Sequence, residues 1–268
     1  MQELTSFGSV RTLRTYYGKP AKDVRIERLL FSVEKLTETI SLCRTKQIDK
    51  RMADFDEALT AAESCSDPLM QQLLPAFRMK FGKKLTIPGL IKWCVQSDML
   101  QQALTIYKER IPTYLLKDRS DLITVSSSAP PPNVDKDYQS EDEARFYEHF
   151  LKMGRNMRSA YYRGRDPDDR WNNSTIKTIE YMEDLLPNSY FHAHCSVNQL
   201  CVIAMDYLYI RALRNMTNHA NDQATESQKE IEEYLAEHGY QKLDSVTAQD
   251  AAKTILNALD HLKKGTVK

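Results

Sequence analysis

Five polar side chains close an otherwise apolar stretch of this sequence. They are Arg211, Arg214, Asn215, Asn218 and His219, at the end of HCSVNQLCVIAMDYLYIRALRNMTNHA (194–220). On a helix, at about 100° per residue with Arg214 as zero, Asn218 falls at ~40°, Arg211 at ~60°, Asn215 at ~100° and His219 at ~140°. All five therefore share one face, while Ile210, Leu213 and Met216 point elsewhere. Asn215 and His219 are four residues apart and can touch. Guanidiniums, amides and an imidazole on a buried helix are costly unless something charged meets them. Cleavage of RNA without a metal needs this set. A base takes the proton of the ribose 2′-hydroxyl, an acid protonates the departing 5′-oxygen, and positive charge stabilises the phosphorane. Histidine titrates near neutrality and suits the proton transfers. Arginine presents a planar, permanently charged fork to phosphoryl oxygens. An amide can orient either group. One helix supplies one imidazole, so two copies across a two-fold axis, forming a homodimer with a composite site, are the expected architecture.

The elements that would carry this face are helical throughout. From Asp23, residues Ile26, Leu29, Leu30, Val33, Leu36 and Ile40 fall at steps of three and four. A second helix is expected over 48–64. Asp67 caps a third with Pro68 in its first turn, and Thr86 with Pro88 opens a fourth. Ser97-Asp98 interrupts the pattern, which resumes from Leu100 to Tyr107 and stops before Pro112. Residues 118–142 contain three consecutive prolines and a serine run. They read as a flexible loop, either between two subdomains or inserted between helices of one. Helical spacing returns over 143–163 and 174–186, in the long stretch 189–221, in a charged helix 224–237 before Gly239, and from Thr247 onward. No stretch alternates as a strand would. The expectation is an all-α bundle of about nine to ten helices with a long Pro/Ser-rich insertion. Residues 1–22, punctuated by Gly8, Gly18 and Pro20, read as a linker or an element lacking its partner, and 23–268 as one all-α domain.

Composition narrows the classes further. The chain has 268 residues, 41% hydrophobic and 28% charged, enough for a sizeable core. Lys+Arg equals Asp+Glu at 37 each, so any nucleic-acid site must be a local patch. Eight glycines leave little material for phosphate-cradling loops. Cys43, Cys65, Cys94, Cys195 and Cys201 are odd in number, scattered, and without a CxxC pair. They read as free thiols in a reducing compartment, which fits a cytoplasmic protein. No signal peptide is visible. The apolar run 197–213 is too short for a membrane span and is broken by Asn198, Gln199, Asp206 and Arg211.

The motif Arg214-Asn215-Met216-Thr217-Asn218-His219 resembles the Arg-x(4–6)-His signature of HEPN ribonucleases, which favour a polar residue directly after the arginine. The segments LIKWCVQSDMLQQALTIYKERIPTYLL (90–116) and IRALRNMTNHA (210–220) are similar to the HEPN effector part of CRISPR-associated ribonucleases of type III systems, which pair a CARF sensor with HEPN. The resemblance covers about residues 23–264. It implies a metal-independent endoribonuclease of antiviral defence that cleaves single-stranded RNA as a homodimer, with Arg214, Asn215 and His219 catalytic. It implies no cofactor. Cyclic oligoadenylate would act only through a sensor domain, and the βα pattern of that sensor is absent from this sequence.

Other clusters carry a weaker message. Arg155-Asn156-Met157-Arg158 repeats the RNM tripeptide without a histidine in register, so Arg155 and Arg158, like Arg211 and Asn218, are candidates for RNA contact only. The segment 155–171 interleaves arginines with Tyr161, Tyr162 and Trp171, as single-strand binders do. Asp166, Asp168 and Asp169 offset that charge, so a solvated loop is the competing reading. On a helix His192 and His194 point far apart, which argues against a metal site there. His238 and His261 lie near helix C-termini, where a protonated imidazole is favoured. Two other functions fit the same sequence: a non-catalytic helical dimerisation or binding module, and a HEPN toxin acting on tRNA.

Overall fold

The computed structural model describes residues 10–18, 20–125, 191–218, 232–233 and 235–267. Among these the protein is all-α apart from one short pair of strands. The helices are α1 (Arg11–Tyr17), α2 (Val24–Ser41), α3 (Ile48–Ala62), α4 (Pro68–Phe81), α5 (Ile87–Gln96), α6 (Leu100–Asp118), α7 (Val197–Asn218) and α8 (Ala248–His261). Strands β1 (Ile123–Val125) and β2 (Phe191–Ala193) pair antiparallel, with Thr124 opposite His192. Among the described residues no helix is long and apolar enough to cross a membrane. The chain divides into two units, 1–109 and 110–268.

In the first unit, α2 and α3 pack along their length. Ile26, Leu29, Leu30, Leu36 and Ile40 of α2 meet the buried side of α3, with Ile48, Phe55, Ala58 and Leu59. The helix starts are set by local side chains. Asp67 accepts from the Met70 amide at 2.8 Å, with Pro68 at the first helical position. Thr86 accepts from Gly89 at 3.2 Å. Ser97 ends α5, and Asp98 follows at φ +56°, in the left-handed region that a short polar side chain tolerates. An aromatic cluster of Phe55, Phe77, Phe81 and Trp93 joins α3, α4 and α5, with ring centroids 5.2–6.4 Å apart.

Residues 1–22 were expected to be a linker, yet 11–17 form α1. Arg14, with its side chain only 9% exposed, holds this short helix down by pairing with Glu27 and Glu34 of α2, at 2.5 and 2.8 Å. Tyr17 donates to the capping carboxylate of Asp67. These partners lie 13 to 50 positions away in sequence, so α1 is made by tertiary contacts rather than propensity.

In the second unit, α7 is the central element. Leu200, Ile203, Tyr207, Ile210 and Leu213 are almost fully buried, and the helix packs against Ala251, Ile255, Ala258 and Leu259 of α8. Thr247 and Asp250 form a reciprocal capping box at the start of α8.

Three expectations change here. First, α6 does not stop before Pro112 but runs through it to Asp118. The bond that Pro112 cannot donate is outweighed by Ile111, Thr113 and Leu115, all at most 5% exposed, whose burial requires the helix to continue. Second, the loop expected from residue 118 contains β1. Third, the stretch expected to be helical from 189 opens with β2 and enters α7 only at Val197. The His194 amide donates to Leu122 O at 2.8 Å, extending the two-stranded ladder. The expected helices over 143–163 and 174–186, most of the loop 118–142, and nearly all of the charged helix 224–237 lie outside the described residues.

Candidate functional site at the end of α7

α7 changes environment within its last two turns. Ile210, Ala212 and Leu213 are 0%, 7% and 1% exposed, whereas Arg211, Arg214 and Asn215 are half-buried and Met216 reaches 36%. The apolar face of the helix is thus packed as far as Leu213, while the opposite face emerges with its polar side chains. Arg214 Nη1 makes a long contact, 3.5 Å, with Asn215 Oδ1. The Thr217 hydroxyl donates to Arg214 O at 2.9 Å, satisfying a carbonyl of the final turn. Asn218 is the last helical residue.

The structure therefore brings Arg211, Arg214 and Asn215 to one partly open helix end. His219 follows α7 directly and lies outside the described residues, as do Arg155 and Arg158. A half-buried pair of guanidiniums beside an amide can bind a phosphodiester through charge-assisted hydrogen bonds.

His192 and His194 are not on a helix. His192 sits in β2, and the His194 ring pairs with the Thr124 hydroxyl at 2.9 Å. Among the described residues no group of three or more His, Cys, Asp or Glu side chains is arranged to hold a metal ion. The five cysteines are free thiols; burial pushes Cys94 up to about 12 and also raises Cys195.

A second polar constellation lies farther back on α7. In the sequence Gln199 and Asp206 are only interruptions of an apolar run. In the structure they are 0% and 4% exposed and carry most of the polar contact between α7 and the end of α8. Gln199 Nε2 donates to His261 O at 2.9 Å and to Lys263 O, and its Oε1 accepts from the Gly265 amide at 3.1 Å. Asp206 Oδ2 meets His261 Nδ1 at 2.7 Å, and Oδ1 accepts from the Tyr240 hydroxyl at 2.8 Å. The Asp206 carboxylate raises the His261 pKa above its ordinary value against the opposing effect of burial. The expected position of His261 in the last turn of a helix is correct, but a buried carboxylate on another helix sets its charge. An aspartate and a glutamine inside an apolar helical run were the available signal, since such residues are buried only with partners.

Comparison with known proteins found no match among family models, curated proteins or solved structures.

Proposed function

We propose that the chain is a HEPN-type endoribonuclease that cleaves single-stranded RNA without a metal ion, and that it serves as the effector part of a type III CRISPR-associated defence ribonuclease. The observation that carries this reading is the end of α7. Arg211, Arg214 and Asn215 emerge together from an otherwise buried helix, and the sequence continues into His219 to complete RN-x(3)-H. Arg214 binds the scissile phosphate and stabilises the charge that develops on it. His219 moves the protons, taking one from the 2′-hydroxyl or giving one to the 5′-oxygen. Asn215, already against Arg214, orients that guanidinium or the phosphate. Attack by the 2′-oxygen on phosphorus with departure of the 5′-oxygen leaves a 2′,3′-cyclic phosphate and a 5′-hydroxyl. A homodimer places two such faces in one cleft and supplies the second imidazole.

The test is cleavage of an end-labelled RNA by the full chain in EDTA. Activity should persist in EDTA and fall by at least ~10²-fold in Arg214→Ala and His219→Ala. Full activity in both variants refutes the assignment. Absence of cleavage by the unaltered protein at every pH favours a non-catalytic binding module.

A further inference from the structure

An open cavity of about 410 Å³ lies between α7, residues 238–241 and α8, within the second unit. Its walls include Met205, Asp206, Tyr240, Lys253, Asn257 and His261. The size falls in the ~300–1,000 Å³ range of small-molecule sites. The cavity is distinct from the end of α7. Its α7 residues Val202, Met205, Asp206 and Tyr209 lie about 80–180° around the helix from Arg214. Asp206 precedes Arg214 by about 12 Å along the axis.

The lining is selective about charge. Two acids, Asp206 and Asp250, face Lys253 and the imidazoles of His238 and His261. Both carboxylates are already engaged: Asp206 by Tyr240 and His261, Asp250 by the amide and hydroxyl of Thr247. The cavity therefore offers neither the open carboxylates a cation needs nor the excess positive charge that would hold a free anion. It does offer apolar surface from Val202 and Met205, the half-buried Tyr240 ring, and the His261 imidazole. The exposed Asn257 amide and Lys253 ammonium add polar edges. His261 is held by Asp206 through Nδ1, so Nε2 donates when the ring is protonated and accepts when it is neutral. An uncharged, flat heterocycle with donors and acceptors on its rim matches these walls.

We propose that this cavity receives a nucleobase of the RNA strand cleaved at the end of α7. The proposal rests on the ribonuclease reading for the strand, though not for the ligand chemistry. The engaged base cannot be at the scissile bond. About 12 Å along α7 and ~10 Å across it separate the two places, roughly 16 Å in all, so a strand needs several nucleotides to reach from one to the other.

The experiment titrates the full chain with adenosine, guanosine, cytidine, uridine and inorganic phosphate, followed by saturation-transfer NMR. It then measures RNA cleavage by Asn257→Trp, in which an exposed α8 side chain is enlarged to fill the cavity. Saturable binding of at least one nucleoside is expected, lost in Asn257→Trp and unchanged in Arg214→Ala. The same Asn257→Trp variant should raise KM tenfold or more for long RNA with kcat unchanged, and leave dinucleotide substrates, too short to reach the cavity, unaffected. No saturable nucleoside binding up to about 10 mM overturns the proposal, as does binding of phosphate alone. Nucleoside binding without a KM effect overturns the link to the substrate strand. Cleavage that survives Arg214→Ala and His219→Ala sinks the ribonuclease assignment but leaves nucleoside binding standing, so the two failures are distinguishable.

Discussion

Replacing Gln199 tests whether α7 is held against α8 by one buried amide. Gln199 is 0% exposed. Its amide bonds to His261 O, Lys263 O and the Gly265 amide. In Gln199→Leu these three groups fare differently. Lys263 O keeps the Thr266 hydroxyl at 2.8 Å. Gly265 is exposed, so water replaces its lost acceptor. His261 O keeps a long contact, 3.5 Å, to the Thr266 hydroxyl, and weakening the satisfaction of this part-buried carbonyl costs about 1–3 kcal/mol. The lost bond to Gly265 adds less than ~1 kcal/mol, and the buried leucine returns about 1 kcal/mol. The net loss is about 2 kcal/mol, or a Tm lower by roughly 4–8 °C for a chain of this size.

Gln199→Glu sharpens the test. A carboxylate has no donor for the two carbonyls and would be buried beside them, which costs more than the leucine. The expected order of Tm by calorimetry is wild type, then leucine, then glutamate, with the glutamate variant recovering as pH falls and its side chain gains a proton. Amide exchange at Gly265 should accelerate in both. A glutamate variant as stable as wild type, or a leucine variant within a degree of it, would refute the role given to this amide.

Three further outcomes follow from the same contacts. His261 is raised by Asp206, so its folded pKa exceeds the unfolded value of ~6.5; the pair stabilises fully below about 6.5, and the contribution fades as pH rises through the folded pKa. An NMR titration should show His261 raised above its ordinary value, returning towards it in Asp206→Asn. Thr247→Ala removes a capping box and should cost about 1 kcal/mol in thermal unfolding, with little effect on RNA cleavage. Thiol titration of the native protein should leave Cys94 unreactive, since burial holds it near 12, while denaturation exposes all five cysteines.

The parts of the fold legible in the sequence are those whose causes are local. Asp67-Pro68, Thr86 with Pro88, and Thr247 each place a helix start within one turn of the residue that makes it, and each start is where the spacing puts it. The parts not legible depend on partners far along the chain. β1 and β2 are three residues each, too short to alternate visibly, and their partners lie 66 to 70 positions apart. α1 depends on Arg14 reaching Glu27 and Glu34. Pro112 is a stop signal by composition, and only the burial of its neighbours shows that α6 passes through it. At the candidate site, helical spacing was enough to bring Arg211, Arg214 and Asn215 to one helix end. The roles of Gln199 and Asp206 were hidden because their partners, Tyr240 and residues on or just beyond α8, lie 34 to 66 positions away.

The polar residues of α7 therefore divide by a physical criterion that sequence alone does not supply. Gln199 and Asp206 are shielded from water, and each is matched to several fixed protein groups, so their polarity is consumed in joining two helices. A residue so matched has nothing left to exchange with a ligand, and replacing it should alter stability before chemistry. Arg211, Arg214 and Asn215 stand half-buried where the same helix meets solvent, and Arg214 makes a long contact, 3.5 Å, with Asn215. Half-buried side chains at a solvent edge can exchange a partner for a phosphate, since water satisfies the group left behind. Arg214→Ala should consequently leave Tm nearly unchanged while removing cleavage, the reverse of Gln199→Leu. If instead Arg214→Ala lowers Tm as much as Gln199→Leu does, the end of α7 is a structural cap, and the ribonuclease assignment loses its support.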